Sequence, residues 1–159
     1  MKLYADLHIH TIHSDGILNP AKIFDMAEKI GLRAISITDH DTIDGCREAR
    51  TLKGQYNIEF IDGIELSCFQ YGREYHLLGY FIDINNNSLL QHLEGFRNAR
   101  YRRGLKIIEK IQNLGLDLSF EEVIEKAGDA PIARPHFAMA LADKNLVASY
   151  KDAFNLYLA

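Results

Sequence analysis

The chain is poor in cysteine, poor in long apolar runs and free of repeats. Its two thiols, Cys46 and Cys68, lack C-x-x-C spacing, so neither a thiolate metal site nor a disulfide framework is expected. No segment approaches the roughly 18 consecutive apolar residues of a membrane span. The first residues, MKLYADLHIH, place Asp6 and two histidines where a secretory leader needs unbroken apolar sequence, which points to a cytoplasmic protein. There is also no excess of positive charge: the formal net charge of −4 argues against indiscriminate coating of nucleic acid and leaves room for a local basic patch, RNARYRRGLK, from Arg97 to Lys106. What remains is a chain of 159 residues, 47% hydrophobic and 25% charged, long enough to build a real core.

Punctuation divides the chain into elements. Leu3 to His8 reads as a strand; Asn19-Pro20 is a good helix start, since Asn caps and Pro suits the first turn. Ile23, Met26, Ala27 and Ile30 keep helical spacing up to Gly31. Arg33 to Ile37, Ile58 to Glu65 and Glu74 to Ile82 read as further strands, and Asp44 to Lys53 as a helix. The order βαβαββ predicts an α/β fold with a largely parallel sheet. From Ser88 onward helix dominates, with a Ser119/Glu122 capping box, a helix from Pro135 to Asn145 and another from Ser149 to Leu158. The expected division is 1–86 for the α/β part and 87–159 for the helical part.

The chemistry is concentrated in DLHIHTIHSDG, Asp6 to Gly16. Strand side chains alternate, so Asp6, His8 and His10 share a face, and two histidines at i and i+2 can grip one ion. Asp15, the TDHD segment with His40, Glu65 and His76 each fall at or just past a strand end, where barrel active sites gather. Imidazole and carboxylate without thiolate suit Zn, Mn or Fe and do not choose among them. Clustered ions suit phosphate-ester hydrolysis, one making hydroxide from water and others binding phosphoryl and leaving oxygens.

DLHIHTIHSDG, ITDHDTIDG, GIELS and HLLGYFID, in this order and spacing, resemble successive motifs of the polymerase and histidinol phosphatase (PHP) family. ARPHFAMALADKNLV and SYKDAFNLYLA resemble the helical insertion of its nucleotide phosphoesterase branch. The resemblance implies the first part of a distorted seven-stranded (β/α)7 barrel, followed by a helical insertion domain, with two to three divalent metals. It implies His8, His10 and Glu65 on one ion, Glu65 bridging to a second held by His76, and Asp15 with His40 on a third, making Asp15, His40 and Glu65 catalytic. Its branch acts on 3′,5′-bisphosphate nucleotides or trims short oligonucleotides, exonuclease chemistry carried by metal-bound hydroxide. The family's later A-H-P and D-x-H segments are not present up to Ala159, so a further segment or a self-associating second chain is expected to complete the barrel.

Around this core, Asp39 and Asp41 flank His40 and are candidates to orient it, as Asp6 is on the first strand. His13, in the loop, is a candidate phosphate contact. Arg134 and His136 stand at a predicted helix start, where free N–H groups favour anions, and by resemblance bind the second phosphate of the substrate. His92 reads as an ordinary surface residue, and the arginines from Arg97 to Arg103 as distributed around their helix. Two other readings stand beside the phosphoesterase: a non-catalytic fragment or binding module with incomplete metal sites, and a metal-dependent amidohydrolase, which also begins from H-x-H.

Overall fold

The computed structural model describes residues 4–158; Leu3, expected in the first strand, lies outside the described residues. The chain forms two compact units, Met1–Phe96 and Arg97–Ala159.

The first unit alternates β1 (Ala5–Ile9), α1 (Pro20–Ile30), β2 (Ala34–Ile37), α2 (Asp44–Thr51), β3 (Glu59–Gln70) and β4 (Arg73–Tyr80). Sheet order is β1-β2-β3-β4, with β1, β2 and β3 parallel and β4 antiparallel to β3, a curled half-barrel sheet. The β1–β2 register shifts between Asp6 and Ile9. β2 is the strand buried on both faces, hence Ile35 and Ile37 at alternate positions with Ser36, itself buried, between them. α1 begins as its sequence dictates: the Asn19 side chain accepts the Lys22 N–H, Pro20 opens the first turn, and Gly31 closes it at φ 81°, a conformation that costs a residue with a Cβ. Its buried stripe of Ile23, Phe24 and Ala27 packs in one core with Ile35, Ile37, Cys46, Ala49 and Ile64. Burial of a side chain such as Phe24 contributes about 1.5–3 kcal/mol, which is what fixes the helix on the sheet. β3 runs past its expected end at Glu65 to Gln70, because pairing with β4 from Gly63↔Tyr80 to Gln70↔Arg73 continues the ladder.

One long helix, α3 (Asn87–Asn113), begins near the expected division and carries the chain into the second unit; the separation by packing falls within it, after Phe96. There α4 (Phe120–Ala127) starts with the anticipated capping box, Ser119 N–H to Glu122 and Glu122 N–H to Ser119 Oγ. α5 (Arg134–Asp143) and α6 (Tyr150–Ala153) follow, and a π-helical turn, Phe154–Leu158, ends the described chain. Ile111, Val123, Phe137 and Leu141 form the centre of a separate core. Among the described residues no helix is long and apolar enough to cross a membrane.

Candidate metal centre

Three parallel strands deliver their carboxyl ends to one rim, and the rim is where the histidines stand. His8 lies in β1 and His10 just past it; His40 follows β2; Glu65 lies within β3, and His76 on β4 beside its partner Ser67. Pairing between β2 and β3 resumes beyond the strand as a parallel bridge between His40 and Glu65. The Asp41 N–H donates to the Glu65 carbonyl at 3.0 Å and the Glu65 N–H to the Asp39 carbonyl at 3.2 Å. That local ladder is why the DHD segment and Glu65 arrive together.

Glu65 is the hub. Its Oε2 lies 2.8 Å from His8 Nε2 and 2.9 Å from His10 Nε2, and the two imidazole nitrogens are 3.0 Å apart. Its Oε1 lies 2.9 Å from His76 Nδ1, and His40 Nδ1 is 3.9 Å from Oε2. On the other side of His10, Nδ1 meets Asp15 Oδ1 at 2.9 Å, and His40 Nε2 lies 3.8 Å from Asp15 Oδ2. Three donor groups result: His8, His10 and Glu65; His10, Asp15 and His40; His40, Glu65 and His76. In each, the atoms lie within 4.8 Å of one another, and neighbouring groups share a residue.

The donor chemistry fits a cation. Within the first group three electronegative atoms face one another in a nearly equilateral triangle, with His10 already spending its Nδ1 on Asp15. Ligands about 2.0–2.1 Å from one ion stand about 3 Å apart, the spacing found here. Ionisation is biased the same way. Burial would raise the carboxyl pKa of Asp15, but the His10 hydrogen bond and the charges of His40 and His10 hold it down at about 2. Burial likewise opposes ionisation of Glu65 and is outweighed by the His8 hydrogen bond and the surrounding histidines, which lower it. For His10, burial would lower the pKa, and the hydrogen bond and charge of Asp15, with Glu65 and Asp39, raise it instead.

The loop from Thr11 to Gly16 is held by a residue whose partners lie 25 and 28 positions away. The buried Asp39 carboxylate accepts from Thr11 N–H at 2.6 Å, Thr11 Oγ1–H at 2.6 Å and Ser14 Oγ–H at 2.7 Å. The bonds that Asp39 makes here go to the loop that carries Asp15 and follows directly on His10. α2 passes so close that a Cβ on Gly45 would overlap Asp39 Oδ2 and Ile37 Cγ2, which is why glycine stands there. Asp41, buried with φ 53°, accepts the Ser67 N–H at 2.8 Å and so ties the segment to β3. Sequence reading missed Thr11, Ser14 and Gly45; the hydroxyls of T-I-H-S were the available signal.

The other anticipated residues fall as follows. Asp6 is exposed and accepts the His8 N–H at 3.2 Å. His13 Nε2 meets Glu48 Oε2 at 2.6 Å. Arg134 and His136 belong to the second unit: Arg134 donates to the Leu158 carbonyl at 3.5 Å, and the buried His136 accepts the Ala133 N–H on Nδ1 at 3.1 Å, closing the first turn of α5. His92 is exposed, its ring on the Ser88 carbonyl.

Comparison with known proteins adds a second line of observation. The family profile described as PHP domain matches residues 6–158. The 5′-3′ exoribonuclease Rnm of Salmonella typhimurium is 32% identical over 157 residues, 97% of this chain and 53% of that protein. The 3′,5′-nucleoside bisphosphate phosphatase of Chromobacterium violaceum is 29% identical over 154 residues, 96% of this chain and 54% of that one. Among solved structures, a candidate metal-dependent phosphoesterase from Bifidobacterium adolescentis superposes with a TM-score of 0.89 at 27% identity, covering 98% of this chain and 55% of that one. The chain spans about half the length of the curated relatives it matches.

Proposed function

Because this chain belongs to the PHP domain family, we propose that it carries the metal-holding part of a phosphoesterase that hydrolyses a nucleotide phosphate ester, removing phosphate from a 3′,5′-bisphosphate nucleotide or trimming nucleotides from a short oligonucleotide. The observation that carries the reading is the Glu65 carboxylate, shared between two of three linked donor groups. The names of the relatives, an exoribonuclease and a bisphosphate phosphatase, support the substrate class.

In this reading His8, His10 and Glu65 hold one divalent ion, Glu65 and His76 a second, and Asp15 with His40 a third; the ions are Mn, Zn or Fe. Bound there, such ions supply Lewis-acid stabilisation of phosphoryl oxygens and a water acidic enough to ionise near neutral pH. The protein's own share is positional. Asp15, His40 and Glu65 are the catalytic residues, presenting their donor atoms from the loop after β1, the segment after β2 and the body of β3. Asp15 also accepts the proton on His10 Nδ1, which fixes the tautomer and leaves Nε2 with its lone pair toward Glu65. Asp39 fixes the loop beneath. Asp6 and Asp41 steady the backbone on either side. Arg134 and His136 take the substrate's second phosphate, and His13 meets substrate by exchanging Glu48 for a phosphoryl oxygen. The reading also takes 1–86 as the first part of the (β/α)7 barrel and 87–159 as its helical insertion, in a cytoplasmic protein whose open sheet is completed by further chain or a second copy.

The test is phosphate release from a nucleoside 3′,5′-bisphosphate, and nucleotide release from a short oligonucleotide, by the Mn-loaded chain. Release that a chelator stops, and that His40→Ala lowers by about 10²-fold or more, is expected. A chain that retains its metal and hydrolyses neither substrate overturns the reading.

A further inference from the structure

The second unit contains a cavity of about 350 Å³, within the range of ligand pockets, whose walls are unlike the metal centre. Along α3, Arg103, Lys106 and Lys110 stand at helical spacing of three and four residues, so their side chains run down one side of the helix and line the cavity. Arg134 closes the row from α5, and Tyr157, on the π-helical turn, adds an aromatic wall. The floor is apolar, made by Ile107 and Ile111.

Four cations on a protein of net charge −4 are a local concentration against the overall sign. Lys106 and Lys110 are exposed, and no side-chain hydrogen bond or ion pair is found for either among the described residues. Their neighbour along the helix, Glu109, is not part of the lining. From Arg103 to Lys110 the row extends about 10 Å along the helix axis. A lone phosphate needs fewer donors and less length; a chain of successive negative charges uses both. The aromatic wall and aliphatic floor beside the cations suit a flat, partly apolar group attached to that chain. Phosphodiester backbone with a base stacked on an aromatic ring is the usual composition of a single-strand site. Local π-helical turns such as the one carrying Tyr157 are frequent where side chains must be presented to ligands.

We propose that this cavity is a binding site for single-stranded nucleic acid, with Lys106 and Lys110 on consecutive backbone phosphates and a base against Tyr157. The choice of nucleic acid over other polyanions rests on the nucleotide-phosphoesterase reading; the polyanion site itself rests on the lining alone.

The experiment is fluorescence anisotropy of the full chain with a labelled single-stranded oligonucleotide, in chelator so that no metal takes part. The double variant K106E/K110E is compared with K22E/K29E, which makes the same charge change on α1. Binding weakened tenfold or more in the first alone, with the slope of log affinity against log salt reduced by about 1.4 for two lost phosphate contacts, is the expected result. Tyr157→Ala, expected to weaken binding by about fivefold or more, reads the stacking wall separately. Equal affinity and slope in K106E/K110E and the wild type, or an equal loss in K22E/K29E, overturns the proposal. So does binding of anionic lipid vesicles through the two lysines with no binding of the oligonucleotide. A chain that binds the strand through these lysines but hydrolyses neither the bisphosphate nucleotide nor the oligonucleotide when metal-loaded overturns the phosphoesterase reading and leaves this site standing.

Discussion

Glu65 reaches His76 with one carboxylate oxygen, Oε1 to Nδ1 at 2.9 Å, and keeps the other for the histidines at the end of β1. One side chain thus ties the antiparallel edge strand to the first strand of the sheet. Neither end of that tie works without the backbone ladder that sets Glu65 opposite His40.

Asp39 is the support of the loop. Asp39→Ala leaves the Thr11 N–H and two hydroxyls without their buried acceptor, and an unsatisfied buried group costs about 1–3 kcal/mol. Urea unfolding should show a loss of about 2–4 kcal/mol, together with weaker metal retention at the group that includes His10 and Asp15. Unchanged stability would show that the loop is held by something else.

Gly45 sets how closely α2 can approach. Gly45→Ala forces a Cβ into Asp39 and Ile37, and overpacking of this kind costs about 1–3 kcal/mol. A lowered urea midpoint with an unchanged m-value is expected. A midpoint equal to the wild type would mean that α2 shifts freely.

The pH dependence of the metal-free chain follows from two opposite shifts. His10 is raised above its ordinary 6.5, so its contribution to stability is full below 6.5 and is lost as pH rises through the folded value. Asp15 is lowered from 3.8 to about 2, so its contribution is full above 3.8 and is lost as pH falls through 2. The urea midpoint in chelator should therefore be highest between these limits and fall on both sides. Metal loading needs the neutral imidazole, so uptake near pH 7 should release protons, read as a buffer-dependent heat in titration calorimetry. A buffer-independent heat would mean that His10 is not a ligand.

The thiols should differ. Cys46 is buried, its Sγ donating to the Ile37 and Gly63 carbonyls, and burial pushes it up to about 12. Under native conditions at pH 8 a thiol reagent should label Cys68, which is half-buried, and reach Cys46 only after unfolding. Rapid native labelling of both would contradict the packing of α2 on the sheet.

Local signals carried much of this fold. Asn19-Pro20 and Gly31 bound α1 because caps and left-handed turns are written in single residues, and Ser119 with Glu122 marks α4 for the same reason. The residue types of the six donors were legible, and the structure brings them together in three donor groups, with Glu65 and His76 inside strands rather than at strand ends. What sequence did not carry was decided at long range. The extension of β3 to Gln70 depends on a partner strand. The three bonds of Asp39 depend on the loop after β1 lying beside it, 25 and 28 residues away in sequence. Arg100, one of the arginines expected around the helix, is buried with Nη1 on the Ile132 carbonyl, a contact 32 residues away. Arg103 and Lys106 were legible only as part of the basic patch from Arg97 to Lys106; the side they share with Lys110 mattered only once Tyr157 and Arg134 were packed beside it.

The central claim, that Glu65 joins linked divalent-metal sites, is tested most directly by elemental mass spectrometry on desalted protein, comparing the wild type with Glu65→Ala. Up to three ions per wild-type chain, one for each donor group, and loss of at least the two that share Glu65 is the expected result. A wild-type chain that holds no metal, or a Glu65→Ala chain that holds as much as the wild type, would contradict the account.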